Sequence, residues 1–126
     1  KALKDANCSA GDIQVIVPLG SGIAQVDNAE REGLIKVFGE SLASIPTITT
    51  IPYTGNCMAG NGAISIGVAA KAIKEQKIPA RLGGTDTPYM QAECCLSSDL
   101  DINKILVITP SEGGQCVALV LGRINT

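Results

Sequence analysis

The sequence predicts an α/β domain: a mixed sheet of four to five strands with helices on both faces. Three observations carry this expectation. Short runs rich in β-branched residues alternate with helical patterns along the chain, which is how an α/β layer arrangement is written in sequence. The last two such runs are joined only by Pro110-Ser111-Glu112-Gly113-Gly114-Gln115, too short for a crossover helix, so the final strand runs antiparallel to its neighbour. The chain has 126 residues, 45% hydrophobic and 17% charged, which suits one folded domain rather than a disordered segment.

Taken in order, residues 13–17, 47–51, 105–108 and 117–121 are short and apolar enough to read as strands. Between the first two, Asp27 is placed to cap a helix, with Glu30 three residues on as its capping-box partner. Leu34, Val37, Phe38 and Leu42 then form the apolar face of that helix. Residues 63–73 are apolar all round until Lys71 and Lys74, and a helix of that kind needs cover on both sides. A two-layer domain of this size covers only one side. The chain also begins within a helical pattern with no capping residue ahead of Ala2, so we expect a fragment of a longer protein. Residues 80–103 read as loop with at most one short strand.

Composition excludes several function classes. A net charge of −2 does not provide the basic surface of a nucleic-acid-binding chain. No apolar run approaches a membrane span, and the start Lys1-Ala2-Leu3-Lys4 has no signal-peptide core. Histidine is absent and no paired C-x-x-C occurs, so no structural zinc site is expected. The sequence implies no other metal and no cofactor. Five cysteines, at 8, 57, 94, 95 and 116, read as reduced thiols of a cytoplasmic protein. Adjacent Cys94 and Cys95 are poorly placed to bond to each other. Cys57 and Cys116 read as small apolar fillers.

Five segments in order carry a family resemblance. Ala2-Leu3-Lys4-Asp5-Ala6 with Gly11-Asp12-Ile13 is similar to the helix-turn-strand that opens the carboxy-terminal half of β-ketoacyl synthases. Leu19-Gly20-Ser21-Gly22-Ile23, Asp27, Glu30, Leu34 and Val37-Phe38-Gly39 resemble that family's H-G-T-G-T…D-x-x-E…L-x-x-V-F-G. Gly55-Asn56-Cys57-Met58-Ala59-Gly60-Asn61-Gly62-Ala63 resembles G-H-x-x-G-A-A-G-A. Ile78-Pro79 and Gly113-Gly114-Gln115…Ala118-Leu119-Val120-Leu121 resemble the I-P-P and F-G-G-x-N-A-S-L-V-L segments.

The resemblance implies a thiolase-like half whose chemistry has been partly removed. Leu19 occupies the first-histidine position and Asn56 the second. Gly20, Ser21, Gly22, Glu112, Gly113 and Gly114 become candidates for lining the substrate pocket. The lysine that usually precedes the second histidine falls on Ile51 or a neighbour, and the pocket phenylalanine is Glu112. Tyr53-Thr54-Gly55-Asn56 is also similar to the Y-G-N-T segment of the initiating ketoacyl synthases, whose second polar group is an asparagine. Implied partners are the amino-terminal half of the same protein, a ketosynthase as homo- or heterodimer partner, and an acyl carrier protein.

Each residue also has a plainer reading. Leu19 after a strand is a core residue, and Asn56 beside Gly55 is a turn or helix-start residue. The Leu19-Gly20-Ser21-Gly22 turn lacks the third glycine and the lysine of the common nucleotide loops. Three functions follow. The first is a non-catalytic, chain-length-factor-like partner of an active ketosynthase in fatty-acid or polyketide assembly. The second is a divergent acyltransferase using Asn56 and a nucleophile in the other half. The third is an interaction module that keeps only the fold. Without histidine no Cys-His or Ser-His pair can form within this chain, so by itself it is not expected to catalyse condensation.

Overall fold

The computed structural model describes residues 1–80, 82, 100–111 and 113–124. Cys94, Cys95, Glu112 and most of the 80–103 loop reading lie outside these residues. Among them the order is α1 (Ala2–Asp5), a 3-10 turn (Ala10–Asp12), β1 (Val15–Val17), α2 (Ala24–Phe38), a second 3-10 segment (Gly39–Ser44), α3 (Ile51–Thr54), a third 3-10 turn (Met58–Gly60), α4 (Asn61–Glu75), β2 (Lys104–Pro110) and β3 (Cys116–Gly122).

β2 is the centre of the sheet. β1 pairs with it in parallel, Val15 opposite Ile105 and Val17 opposite Val107. β3 pairs antiparallel, from Lys104 opposite Gly122 to Pro110 opposite Cys116. The short connection therefore makes the hairpin expected of it. Alternation along the strands then divides the core in two. Val15, Val17, Ile105 and Val107 face Ala69 and Ala72 of α4, with Ile48, Ile78 and Ile102 filling in. Ile16 and Leu106 face the other way, onto Leu34 and Phe38 of α2, with Ile13 and Ile45. Helices thus cover both faces of a mixed sheet.

Several local expectations are corrected. The 47–51 run does not extend as a strand: it touches β1 through one parallel bridge, Ile16 to Thr47. Ile16 N–H donates to Pro46 O at 3.0 Å and Ile48 N–H to Ile16 O at 2.9 Å. By Thr50 the backbone is helical, and Pro52 sits in the first turn of α3, where its missing N–H costs nothing. The described residues therefore form three strands rather than four or five. Val37 is 52% exposed, because it sits at the flank of the stripe that buries Leu34 and Phe38. Asp27 does not cap α2, which begins at Ala24 after Ile23.

Among the described residues, α4 is covered on one side only. Asn61, Ser65, Ala69 and Ala72 are buried, while Ala63, Gly67 and Ala70 are exposed. Ile66 and Val68 pack partly against the core. At its end Gln76 donates Nε2–H to Ile73 O at 2.6 Å and Ile102 O at 2.9 Å, and its Oε1 accepts Ile102 N–H at 2.8 Å. Those bonds moor α4 to the approach of β2.

Candidate functional site

β1 and β2 run in parallel, so their carboxyl ends open toward the same edge of the domain. Three turns gather there: residues 18–22 after β1, residues 111 and 113–115 after β2, and residues 55–60 ahead of α4. The last is placed by Gly62, where a Cβ would lie 3.4 Å from Thr109 Cγ2 near the end of β2. The expected site residues that the structure describes, Leu19, Gly20, Ser21, Gly22, Asn56, Gly113 and Gly114, fall on these three turns.

Two carboxylates of α2 fasten the first turn. Glu30 Oε1 accepts the N–H of Leu19 at 2.8 Å and its Oε2 accepts that of Gly20 at 3.3 Å. Asp27 Oδ1 accepts the N–H and hydroxyl of Ser21 at 2.8 and 2.7 Å, and Oδ2 accepts the N–H of Gly22 at 3.0 Å. Four consecutive amides are thus consumed by one face of a helix, in an arrangement of charge-assisted bonds. A turn whose amides already hold carboxylates does not offer them to a phosphate. Gly20 is required here twice over: its φ is +56°, and a Cβ would come within 2.8 Å of Thr49 Cγ2.

Leu19, carried on this turn, is half-buried and belongs to neither core cluster, so its reading as a core residue is corrected. The chain leaves the sheet at Pro18, and the clamp holds Leu19 beyond the packed layers.

The second turn is built from amides. Asn56 is exposed, follows Gly55 at φ +72°, and precedes Met58, a non-glycine residue held at φ +52°. Asn56 Oδ1 accepts Met58 N–H at 2.9 Å and Asn61 Nδ2–H at 2.7 Å, and Asn61 Oδ1 accepts Cys57 N–H at 2.9 Å. Asn61 is 7% exposed. Its importance was not read from the sequence, although a polar residue inside a run of small ones, where the family pattern has alanine, was the available signal. Cys57 is exposed, with Sγ 3.7 Å from Thr54 O and Gly55 O, and Cys116 is exposed on β3. Neither is the buried filler expected. Each lies at an edge where nothing in the described residues packs over it.

In the third turn Gly114, at φ +78°, donates to Ser111 O at 3.0 Å, while Ser111 N–H donates to Gln115 O at 2.8 Å. Gly113 and Gly114 are thereby hairpin residues at the same edge as Leu19. A groove of roughly 380 Å³ lies between residues 48–54, α4 and residues 77–79, lined in part by Ile48, Thr50, Tyr53, Val68, Ala72 and Ile78. None of the described site residues expected from sequence lines it. Thr49, which does, is the residue that abuts Gly20.

Among the described residues, no cluster of three or more His, Cys, Asp or Glu side chains is placed to hold a metal ion. Among them no helix is long and apolar enough to cross a membrane.

Comparison with known proteins agrees with this geometry. The chain is similar to the ketoacyl synthase beta subunit of the tetracenomycin polyketide synthase of Streptomyces glaucescens, 29% identical over 125 residues, covering 97% of this chain and 30% of the relative. A second relative, from Streptomyces violaceoruber and bearing granaticin polyketide in its name, is 33% identical over 122 residues, covering 97% of this chain and 26% of its own length. Among solved structures, the complex AntDE:AntF superposes with a TM-score of 0.84 at 26% identity, covering 98% of this chain and 31% of that chain. It is described as a type II polyketide synthase acyl-carrier protein with its ketosynthase bound to the hexaketide. The chain spans under a third of the length of the relatives it matches. The β-ketoacyl synthase C-terminal domain profile matches residues 1–85, and the chain belongs to that family.

Proposed function

We propose that this chain is the carboxy-terminal half of a non-catalytic ketosynthase-like subunit, of the chain-length-factor kind, that pairs with an active ketosynthase in polyketide assembly in the cytoplasm. An acyl carrier protein delivers the chain to that pair. The observation that carries the reading is Leu19 on an intact, doubly clamped turn. The scaffold of the first-histidine position is kept while the side chain there can neither donate a hydrogen bond nor move a proton. Losing one such donor alone costs on the order of 10²–10³ in rate. A subunit that supplies shape to a partner's site tolerates that loss, whereas a self-sufficient condensing enzyme does not. The relatives named as polyketide ketoacyl synthase subunits support the same assignment.

The test is to express the intact subunit alone and together with an active ketosynthase and carrier protein. Alone, it should give no acyl adduct by mass spectrometry and no decarboxylation of malonyl thioesters. Together, the two should copurify and yield product. A stoichiometric adduct with turnover by the subunit alone would instead establish a divergent acyltransferase. Asn56 is the residue that favours this second reading, because a polar group survives at the second-histidine position.

A further inference from the structure

No residue of the three turns lines the groove along α4, and one of its walls carries a polar group that the fold leaves unused. Ile48, Val68, Ala72 and Ile78 give the groove an apolar floor, and its volume of roughly 380 Å³ falls within the range of small-molecule sites, about 300–1,000 Å³. Thr50 stands at its wall, only 4% exposed. The Thr50 carbonyl oxygen accepts the N–H groups of Tyr53 and Thr54 at 3.0 and 3.2 Å, and the Thr54 hydroxyl at 3.2 Å. Its own hydroxyl has no partner among the described residues and does not cap α3, although threonine at the head of a helix ordinarily does. No fully enclosed side-chain oxygen or nitrogen among those residues lacks a partner. The Thr50 hydroxyl is therefore not sealed in the core, and it stays open to the groove that the residue lines.

Charge at the rim narrows the class of ligand. Lys71 and Glu75 pair with each other at 3.8 Å. Lys77, also on the rim, has no ion-pair partner among the described residues, so one positive charge there is uncompensated. Glu75 opposes a second negative charge beside it. We propose that this groove binds a small amphipathic carboxylate that carries one further, uncharged oxygen. The apolar body lies on the floor, the carboxylate is drawn to Lys77, and the Thr50 hydroxyl bonds the uncharged oxygen. A hydroxyl that is buried and unpartnered in the empty groove gains a bond only when such a ligand arrives, so a ligand without that oxygen is disfavoured.

The experiment titrates the intact subunit by calorimetry with p-hydroxyphenylpropionate, with phenylpropionate, which lacks the hydroxyl, and with p-hydroxyphenylpropanol, which lacks the charge. The first probe should bind about threefold to tenfold tighter than the second, the range of one net hydrogen bond. It should bind about twofold to fivefold tighter than the third, the range of an exposed ion pair. Thr50→Val keeps the side-chain shape and should bring only the hydroxyl ratio to one. Its thermal midpoint should not fall, because the hydroxyl has no partner to lose. Lys77→Gln, at an exposed position, should bring only the charge ratio to one. Failure of the first probe to bind overturns the proposal. So do ratios that neither variant changes, which put the probe in another cavity. A lower midpoint in Thr50→Val with its hydroxyl ratio intact also overturns it, by making the hydroxyl a structural group.

Discussion

Glu30 accepts the backbone N–H of Leu19 at 2.8 Å from the second turn of α2, eleven positions along the chain. With Asp27 it makes α2 the holder of the turn that follows β1, so the conformation of that turn depends on side chains rather than on sheet pairing.

Asp27→Ala should therefore be costly for a change outside the strands. It leaves the N–H and hydroxyl of Ser21 and the N–H of Gly22 without their acceptor, at a position where Asp27 is only 7% exposed. We expect a loss of about 2–3 kcal/mol in urea unfolding, and about 1 kcal/mol for Glu30→Gln, which keeps one acceptor oxygen. Amide exchange should quicken at residues 19–22 and leave β2 protected. Unchanged exchange there would mean that the carboxylates do not hold the turn.

Gly20→Ala should combine two penalties, a φ of +56° and a Cβ 2.8 Å from Thr49 Cγ2. A destabilisation of about 1–3 kcal/mol is expected. Adding Thr49→Ser removes the clashing methyl and should restore the steric part alone. A double-mutant cycle with no coupling between the two positions would contradict the contact.

On α4, neighbouring alanines should behave in opposite ways. Ala69 is fully buried against the sheet, so Ala69→Glu puts a charge into the core and should abolish folding. Ala70 is exposed, and Ala70→Glu should fold normally. The exposed stripe of Ala63, Gly67 and Ala70, together with Val117 at 54% and Leu119 at 41% exposure on β3, predicts self-association of the isolated chain. Sedimentation should show Ala70→Glu weakening it, and a monomer at high micromolar concentration would refute the prediction.

Asp12 gives a pH dependence of known sign. The N–H of Ser9, and next its hydroxyl, donate to Asp12 Oδ2 at 2.7 and 2.8 Å and hold the carboxyl below its ordinary value. A carboxyl lowered in the folded state contributes stability that is present above its unfolded value and is lost as pH falls through its folded value. Asp12→Asn should flatten that acid limb slightly, measured by thermal melts from neutral pH downward. The effect is small because the group is exposed.

The sheet was legible where local pattern and local geometry coincide. Residues 105–108 and 117–121 read as strands because short apolar runs containing β-branched residues fill both, and the short link between them forced a hairpin. The run from Thr47 to Ile51 is as β-rich, yet only Thr47 bridges to Ile16, since pairing depends on what lies alongside and not on composition. Asp27 and Glu30 were visible as a spaced acidic pair, but capping rules look only at the neighbouring turn, whereas these side chains reach back five to eleven residues. Leu19 and Asn56 were found by resemblance to a pattern. Asn61 was passed over because amides that satisfy each other leave no periodic signature.

Because β2 lies in the middle of the sheet, the order of synthesis is the reverse of the order of need. β1 emerges first but finds its strand partner, Ile105 to Val107, about ninety residues later, and Gln14 Oε1 likewise waits to accept the N–H groups of Asn103 and Lys104 at 3.1 and 2.7 Å. Until the hairpin of β2 and β3 has left the ribosome, the apolar faces of α2 and α4 have no sheet between them. Such long-range closure slows folding and exposes sticky surface meanwhile. A nascent chain stalled before residue 104 should therefore be a chaperone client, and one stalled well beyond residue 122 should resist protease.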